Sequence, residues 1–214
     1  MDVRSFTVGP VAENCYFVRS DGASEAIVID PGDEAQRLLG AIDELELDVK
    51  AILLTHTHFD HVGAVAPVAA ATGAPVYCPV IEVAVLADVM SFVPPGFGPF
   101  ESYEADETLA GGERLELAGL EIEVLFTPGH SPGHVTYSIP AEQAVFSGDV
   151  LFEGSIGRTD LPGGDTQTLM RTLADLVERL PDETVVYPGH MGVTTIGRER
   201  ATNPFLRELG APRA

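Results

Sequence analysis

Six histidines are all that this 214-residue chain contains, and where they fall constrains its fold more than any other feature. His56, His58 and His61 share one short segment, His130 and His134 flank Ser131-Pro132-Gly133, and His190 follows Tyr187-Pro188-Gly189. Every one except His134 lies in a loop just after a predicted strand, as do Asp60 and Asp149. The His-x-His-x-Asp-His spacing makes physical sense for a metal. Residues two apart on an extended strand end project to the same side, so His56 and His58 can grip one ion. As the chain turns toward a helix, Asp60 and His61 can swing to a second ion. Imidazole and carboxylate suit zinc, iron(II) or manganese, whereas a thiolate site is not expected, because Cys15 and Cys78 lie outside these segments. A lone histidine at a strand end is ordinarily a surface or hydrogen-bonding residue. That does not account for several converging with two aspartates beside Gly or Pro.

Periodicity places the remaining elements. Alternation and β-branched content predict strands near 3–8, 15–19, 25–30, 49–54, 75–78, 134–139, 143–147 and 184–187, with a hairpin of 113–117 and 120–126 around Ala118-Gly119. A helix at 33–46 would bury Ala35, Leu38, Leu39, Ile42 and Leu45, and one at 167–180 would bury Leu169, Leu173, Leu176, Val177 and Leu180. Further helices are expected within 62–72, where Pro67 is tolerable only near the first turn, and near 80–90. Residues 91–112, rich in Pro, Gly and acids, read as a long loop, either a functional flap or a tolerated insertion. Helices alternate with strands, yet hairpins are present, which points to a mixed, layered α/β domain rather than a purely parallel doubly wound sheet. No linker or repeat divides the chain, so one domain over 1–214 is expected.

Charge narrows the partners. Twelve basic against 33 acidic residues give a net −21, and Lys50 is the sole lysine. Such a surface repels phosphate backbones and anionic bilayers, so neither nucleic acid nor membrane is an expected partner. The acids read as a solvated face, and a salt-rich cytoplasm would also explain them. No stretch is apolar enough for a membrane span and no secretory signal is visible. Two free thiols in a reducing compartment fit a cytoplasmic location. The oligomeric state is left open.

Taken together, Ile29-Asp30-Pro31-Gly32, Thr55-His56-Thr57-His58-Phe59-Asp60-His61, Thr127-Pro128-Gly129-His130, Ser147-Gly148-Asp149 and Tyr187-Pro188-Gly189-His190 resemble, in order and separation, the five motifs of the metallo-β-lactamase superfamily. The resemblance covers nearly the whole chain. Asn14-Cys15-Tyr16, Gly157-Arg158-Thr159-Asp160 and the tail Thr194-Thr195-Ile196-Gly197 with Asn203-Pro204-Phe205-Leu206 are similar to its small glyoxalase II-like hydrolases. The resemblance implies a four-layer αβ/βα sandwich with the site at one edge of two sheets. It implies two divalent metal ions, zinc first and iron or manganese as alternatives. His56, His58 and His130 would hold the first, Asp60, His61 and His190 the second, and Asp149 would bridge them. Asp60 and Asp149 are thereby its catalytic carboxylates. Asp30 would support the site or simply form a turn, and His134 would hydrogen-bond rather than ligate.

The reaction so implied is hydrolysis of a small-molecule thioester, S-lactoylglutathione or a related acyl thiol, by metal-activated water. True β-lactamases of this fold typically lack the full bridging-aspartate set. The superfamily's nucleases carry extra domains or basic surfaces. Full-length glyoxalase II enzymes add a C-terminal helical domain with glutathione-binding basic residues. Only 24 residues follow His190 here, so that domain is expected to be absent. Arg158, Arg198 and Arg200 are then the candidate anion contacts, each with the alternative of pairing to local acids. A second reading is a mononuclear iron persulfide dioxygenase using His56, His130 and Asp149. A third, a non-catalytic binding or redox module, fits poorly, since such superfamily members are fused to flavin domains and the ligand set here is complete.

Overall fold

The computed structural model describes residues 1–209, so the last five residues of the expected domain, 210–214, lie outside it. In chain order the elements are β1 (Asp2–Val8), β2 (Glu13–Arg19), β3 (Glu25–Ile29), α1 (Ala35–Glu44), β4 (Asp48–Leu53), α2 (Phe59–Val62), α3 (Val65–Thr72), β5 (Val76–Pro79), α4 (Val83–Leu86), β6 (Glu107–Leu109), β7 (Arg114–Leu117), β8 (Leu120–Phe126), β9 (Val135–Ile139), β10 (Ala144–Gly148), β11 (Leu151–Phe152), β12 (Ser155–Ile156), α5 (Thr166–Arg179), β13 (Val185–Pro188), β14 (Thr194–Thr195), α6 (Ile196–Thr202) and α7 (Pro204–Leu209). Two six-stranded sheets form, in the orders β1-β2-β3-β4-β5-β6 and β14-β13-β10-β9-β8-β7.

The layering follows from strands that are apolar on both faces. Along β2, Cys15 and Phe17 point outward to α1 and α3, where Leu38, Ile42, Val65 and Val68 cover them. The alternate residues Tyr16 and Val18 point inward and join Ile27, Ile29 and Leu53 against Ile122, Val124, Tyr137 and Phe146 of the second sheet. On the far side of that sheet Val145 and Val186 meet Leu169, Leu173 and Leu176 of α5. Helix, sheet, sheet and helix therefore stack as four layers, as expected. Along α5, Leu169, Leu173 and Leu176 are spaced three and four apart, one stripe on the sheet, and Asp165 caps it by accepting from Thr168 N at 2.7 Å.

Connection direction then sets the place of the site. β3, β4 and β5 run parallel, as do β10 and β13, and β8 shares the direction of β10 because both are antiparallel to β9. The C-terminal ends of β3, β4, β8, β10 and β13 consequently meet at one edge. Bonds between the sheets clamp that edge: Tyr137 Oη donates to Leu54 O at 2.6 Å, Val135 N to Thr55 O at 2.9 Å, and Tyr16 Oη to Pro188 O at 2.7 Å.

Several expectations are corrected. Residues 91–112 are not loop throughout, because β6 pairs parallel to β5 and completes the first sheet. A three-residue edge strand is too short to show alternation. The helix expected at 80–90 is only the four-residue α4 followed by a 3₁₀ turn over Val89–Ser91. The helix expected within 62–72 begins earlier, as α2, and breaks at Gly63. A Cβ there would lie 2.4 Å from Gly32 O, so the two loops need a glycine to cross. Pro67 does sit in the first turn of α3. The hairpin β11–β12 and helices α6 and α7 were not anticipated. Both cysteines are free and buried, and among the described residues no helix is long and apolar enough to cross a membrane.

Candidate metal centre

At the end of β3 the backbone of Asp30 takes a left-handed turn (φ 48°), and its carboxylate becomes the first fixed point of the site. Oδ1 accepts from Thr55 N at 2.7 Å, and Oδ2 accepts from Thr55 Oγ1 at 2.6 Å and His61 Nδ1 at 3.0 Å. This ties β3 to the loop after β4 and orients His61. Gly32 lets that loop approach, since a Cβ would fall 1.7 Å from Asp60 O. Asp30 therefore has a supporting role, and its turn and its chemistry are one arrangement.

The histidines of three separate loops converge. His58 Nδ1 lies 3.1 Å from His56 Nε2 and 2.8 Å from His130 Nε2. Alongside, His190 Nε2 is 3.2 Å from Asp60 Oδ2, and His61 Nε2 is 3.8 Å from the same oxygen. Asp149 stands between the clusters: Oδ1 is 3.4 Å from His61 Nε2, while Oδ2 is 3.5 Å from His130 Nε2 and 3.6 Å from His190 Nε2. Each trio has donor atoms all within 4.8 Å of one another. Asp30, His56 and His61 also fall within that distance. Their facing atoms, however, are spent on hydrogen bonds, Asp30 and His56 to Thr55 and His61 to Asp30, so this third group is a network rather than a cation cradle.

Second hydrogen bonds hold most of these imidazoles in the tautomer that leaves one nitrogen free. Thr55 Oγ1 donates to Asp30, so it accepts from His56 Nδ1 at 3.0 Å and frees Nε2. His130 Nδ1 donates to Arg158 O at 2.8 Å, and His190 Nδ1 to Ala12 O at 3.3 Å. His134 differs. Its Nδ1 donates to Thr127 Oγ1 at 2.9 Å and its Nε2 accepts from Asp149 N at 3.0 Å, so neither nitrogen is free.

The donors fit divalent metal ions. His61 Nε2 and Asp149 Oδ1 are buried without any hydrogen-bond partner, a costly state for two polar atoms unless a cation lies between them. Ligands on a tetrahedral zinc at about 2.0–2.1 Å stand roughly 3.3 Å apart, close to the separations seen here. Electrostatics separate the two trios. Burial and the neighbouring imidazoles push His56 well below the ordinary imidazole value and His58 down to about 4, and burial also lowers His130. For His61 and His190 burial acts the same way, but Asp60 and Asp149 outweigh it and hold both above the ordinary value. Reciprocally, burial alone would raise Asp149 and Asp60, and His61 with its neighbours holds both below the usual carboxylate range.

Of the three expected arginines, one borders the site and two do not. Arg158 borders the cleft over the site, but its guanidinium makes two 2.7 Å bonds to Asp160. Arg198 pairs with Glu153 at 2.7 Å and Arg200 with Asp182, and neither borders the cleft. Sequence reasoning missed two buried acids. Glu82 accepts from Thr57 Oγ1 at 2.7 Å, Ser131 Oγ at 2.6 Å and Gly133 N at 2.8 Å, joining the loops that carry His56, His58 and His130. Glu13 is fully buried, with Oε1 3.8 Å from His61 Nδ1, and burial pushes its carboxyl well above the ordinary value. A solitary acid in an otherwise apolar run marks Glu82 in the sequence, between Val80-Ile81 and Val83-Ala84-Val85.

Residues 8–190 match the family model described as the metallo-beta-lactamase superfamily. A probable metallo-hydrolase of Bacillus subtilis is 41% identical over 96% of this chain and 98% of its own. Hydroxyacylglutathione hydrolase GloC of Haemophilus influenzae is 37% identical, with the same shares covered. Among solved structures, the BLEG-1 B3 metallo-beta-lactamase superposes with a TM-score of 0.91 at 40% identity, covering 96% of this chain and 99% of that one. A second, solved in a di-iron-bound form, has a TM-score of 0.79 at 43% identity and covers 95% and 100%.

Proposed function

This chain belongs to the metallo-beta-lactamase superfamily, and from that premise we propose that it is a dinuclear metal-dependent thioester hydrolase of the glyoxalase II type, acting on S-lactoylglutathione or a related small acyl thiol. The observation that carries the reading is the placement of Asp149, with one carboxylate oxygen 3.4 Å from His61 and the other 3.5 Å from His130. A carboxylate so divided suits a bridge between two cations. His56, His58 and His130 would hold one, and Asp60, His61 and His190 the other. The relative named a hydroxyacylglutathione hydrolase supports the substrate class.

Two divalent ions held there would supply a Lewis acid and a water acidic enough to act as nucleophile near neutral pH. The chain's own residues prepare the ground. Asp30 and Thr55 keep His61 and His56 in the required tautomers, and Arg158 O does so for His130. The His134 bond to its backbone fixes where Asp149 stands. Asp60 is held by His190 at the cleft floor, where substrate arrives. Apolar side chains such as Phe152, Ile156 and Leu161 line the cleft above these charges. A thioester suits the site because its thiolate leaves with little general-acid help. Zinc is the metal we assign, and the same donors accept iron or manganese. Elemental analysis with a thioester panel tests the reading: two metals per chain and metal-dependent thioester cleavage are expected. A single iron with persulfide-dependent oxygen uptake would replace it with the dioxygenase.

A further inference from the structure

We infer that the acyl thioester taken by this cleft carries an uncharged aliphatic acyl arm on a neutral thiol carrier, in preference to a glutathione conjugate. The bond cleaved rests on the thioesterase reading; the shape and charge of the cleft do not. The cavity over the site measures about 880 Å³, with His58, Asp60, Asp149 and His190 at its floor. Its walls are apolar. Ile81 and Phe92 border it, as do Phe152, Ile156, Leu161 and Met191. Three of these are left largely in water, Ile81 at 53%, Phe92 at 57% and Met191 at 59% exposure. Scattered exposed hydrophobics need no explanation, but a cluster around one opening above a polar floor marks a ligand site. Met191 is also held at φ 69°, a left-handed conformation that a long side chain adopts at a cost, next to His190.

Charge argues the same way. Glutathione brings two carboxylates, which need guanidinium or ammonium partners. Among the described residues Arg158 is the only arginine or lysine bordering the cleft, and Asp160 already occupies both faces of its fork. Arg198 and Arg200 are paired to Glu153 and Asp182. Asp60 and Asp149 also border the cleft, but divalent ions held there would neutralise them, so a glutathione carboxylate depends on a free cation along the walls. An anionic carrier would find no free cation on those walls, whereas methylenes would meet Phe, Ile, Leu and Met.

The test compares non-hydrolysable thioethers on the metal-loaded protein by calorimetry: S-hexyl-N-acetylcysteamine, its S-ethyl homologue and S-hexylglutathione. The neutral hexyl compound is expected to bind at least about tenfold more tightly than the glutathione one, and to lose about fourfold per methylene removed. Phe92→Ala, at an exposed position, is expected to weaken the neutral hexyl compound about tenfold. Equal or tighter binding of S-hexylglutathione, or no loss on shortening hexyl to ethyl, overturns the inference. Hydrolysis separates the two readings. A protein that binds the neutral thioether but cleaves no thioester keeps the inference and loses the thioesterase. One that cleaves S-lactoylglutathione in preference to hexanoyl-N-acetylcysteamine keeps the thioesterase and loses the inference.

Discussion

The backbone N–H of Asp149 donates to His134 Nε2 at 3.0 Å, so a histidine with no free nitrogen sets the position of the carboxylate between the two clusters. The contact is tight, because a Cβ on Gly148 would lie 2.6 Å from the same His134 nitrogen. Replacing His134 by alanine leaves a buried N–H unpaired, at a cost of about 1–3 kcal/mol. Denaturant unfolding should show that loss, and titration of the metal-free protein should show metal affinity lowered about 10- to 100-fold. Unchanged metal affinity would mean that Asp149 holds its place without this bond.

Glu82 joins two metal-bearing loops through three donors, so its removal should be felt in both stability and metal binding. Glu82→Ala strands Thr57, Ser131 and Gly133 and is expected to cost at least ~2 kcal/mol. Glu82→Gln keeps one acceptor oxygen and should recover part of it. The check is a pair of urea transitions alongside zinc titration, with the alanine variant weakest in each.

Asp60 and His190 meet at 3.2 Å and belong with His61, sharing no donor with the His56, His58 and His130 trio. Asp60→Ala should therefore empty one cradle and spare the other, lowering bound metal from about two to about one per chain. Thioesterase activity should fall with it. Full activity in this variant would contradict the role given to the second cradle.

The two cradles should lose metal at different pH. A proton must leave each imidazole before a cation binds, so a raised pKa makes the proton the stronger competitor. His61 and His190, held above the ordinary value by Asp60 and Asp149, should release metal first as pH falls through their raised values. The trio containing His58, at about 4, should hold metal to lower pH. Without metal the sign reverses for the chain itself. The raised His61 and His190 contribute stability fully present below about pH 6.5 and lost as pH rises through their folded values. Metal content after dialysis across pH 4–8 would show two steps, and a single step would refute the separation.

A net −21 on 214 residues should make the fold sensitive to ionic strength, because salt screens repulsion among surface acids. Melting temperature is expected to rise from low to molar salt. A flat profile removes the salt-rich setting as an explanation of the acid excess.

Much of the molecule was legible in the chain because its signals are local. Alternation in β2 and β4, the leucine stripe of α5 and the Ala118-Gly119 turn each report a neighbourhood of a few residues, and each element formed within a few residues of its expected bounds. The His56-to-His61 segment is local in the same way: short covalent spacing keeps its side chains near one another, although the structure places His56 and His58 in the loop after β4 and Asp60 and His61 on α2 rather than on a strand end. The short edge strand β6 and the hairpin β11–β12 escaped because two or three residues carry no period.

What the chain alone determined was therefore most of the longer strands and helices, a mixed α/β class and a cluster of candidate metal-binding histidines and aspartates, since covalent spacing and side-chain polarity settle these at short range. The four layers and the division of ligands between two ions came from the family resemblance. Only the tertiary structure decided that Asp149 stands between His61 and His130, that His134 is spent on a backbone N–H, and that Glu82 joins two loops. Those are distances across sheets and between loops, set by how the two sheets pack, and no spacing along the backbone encodes them.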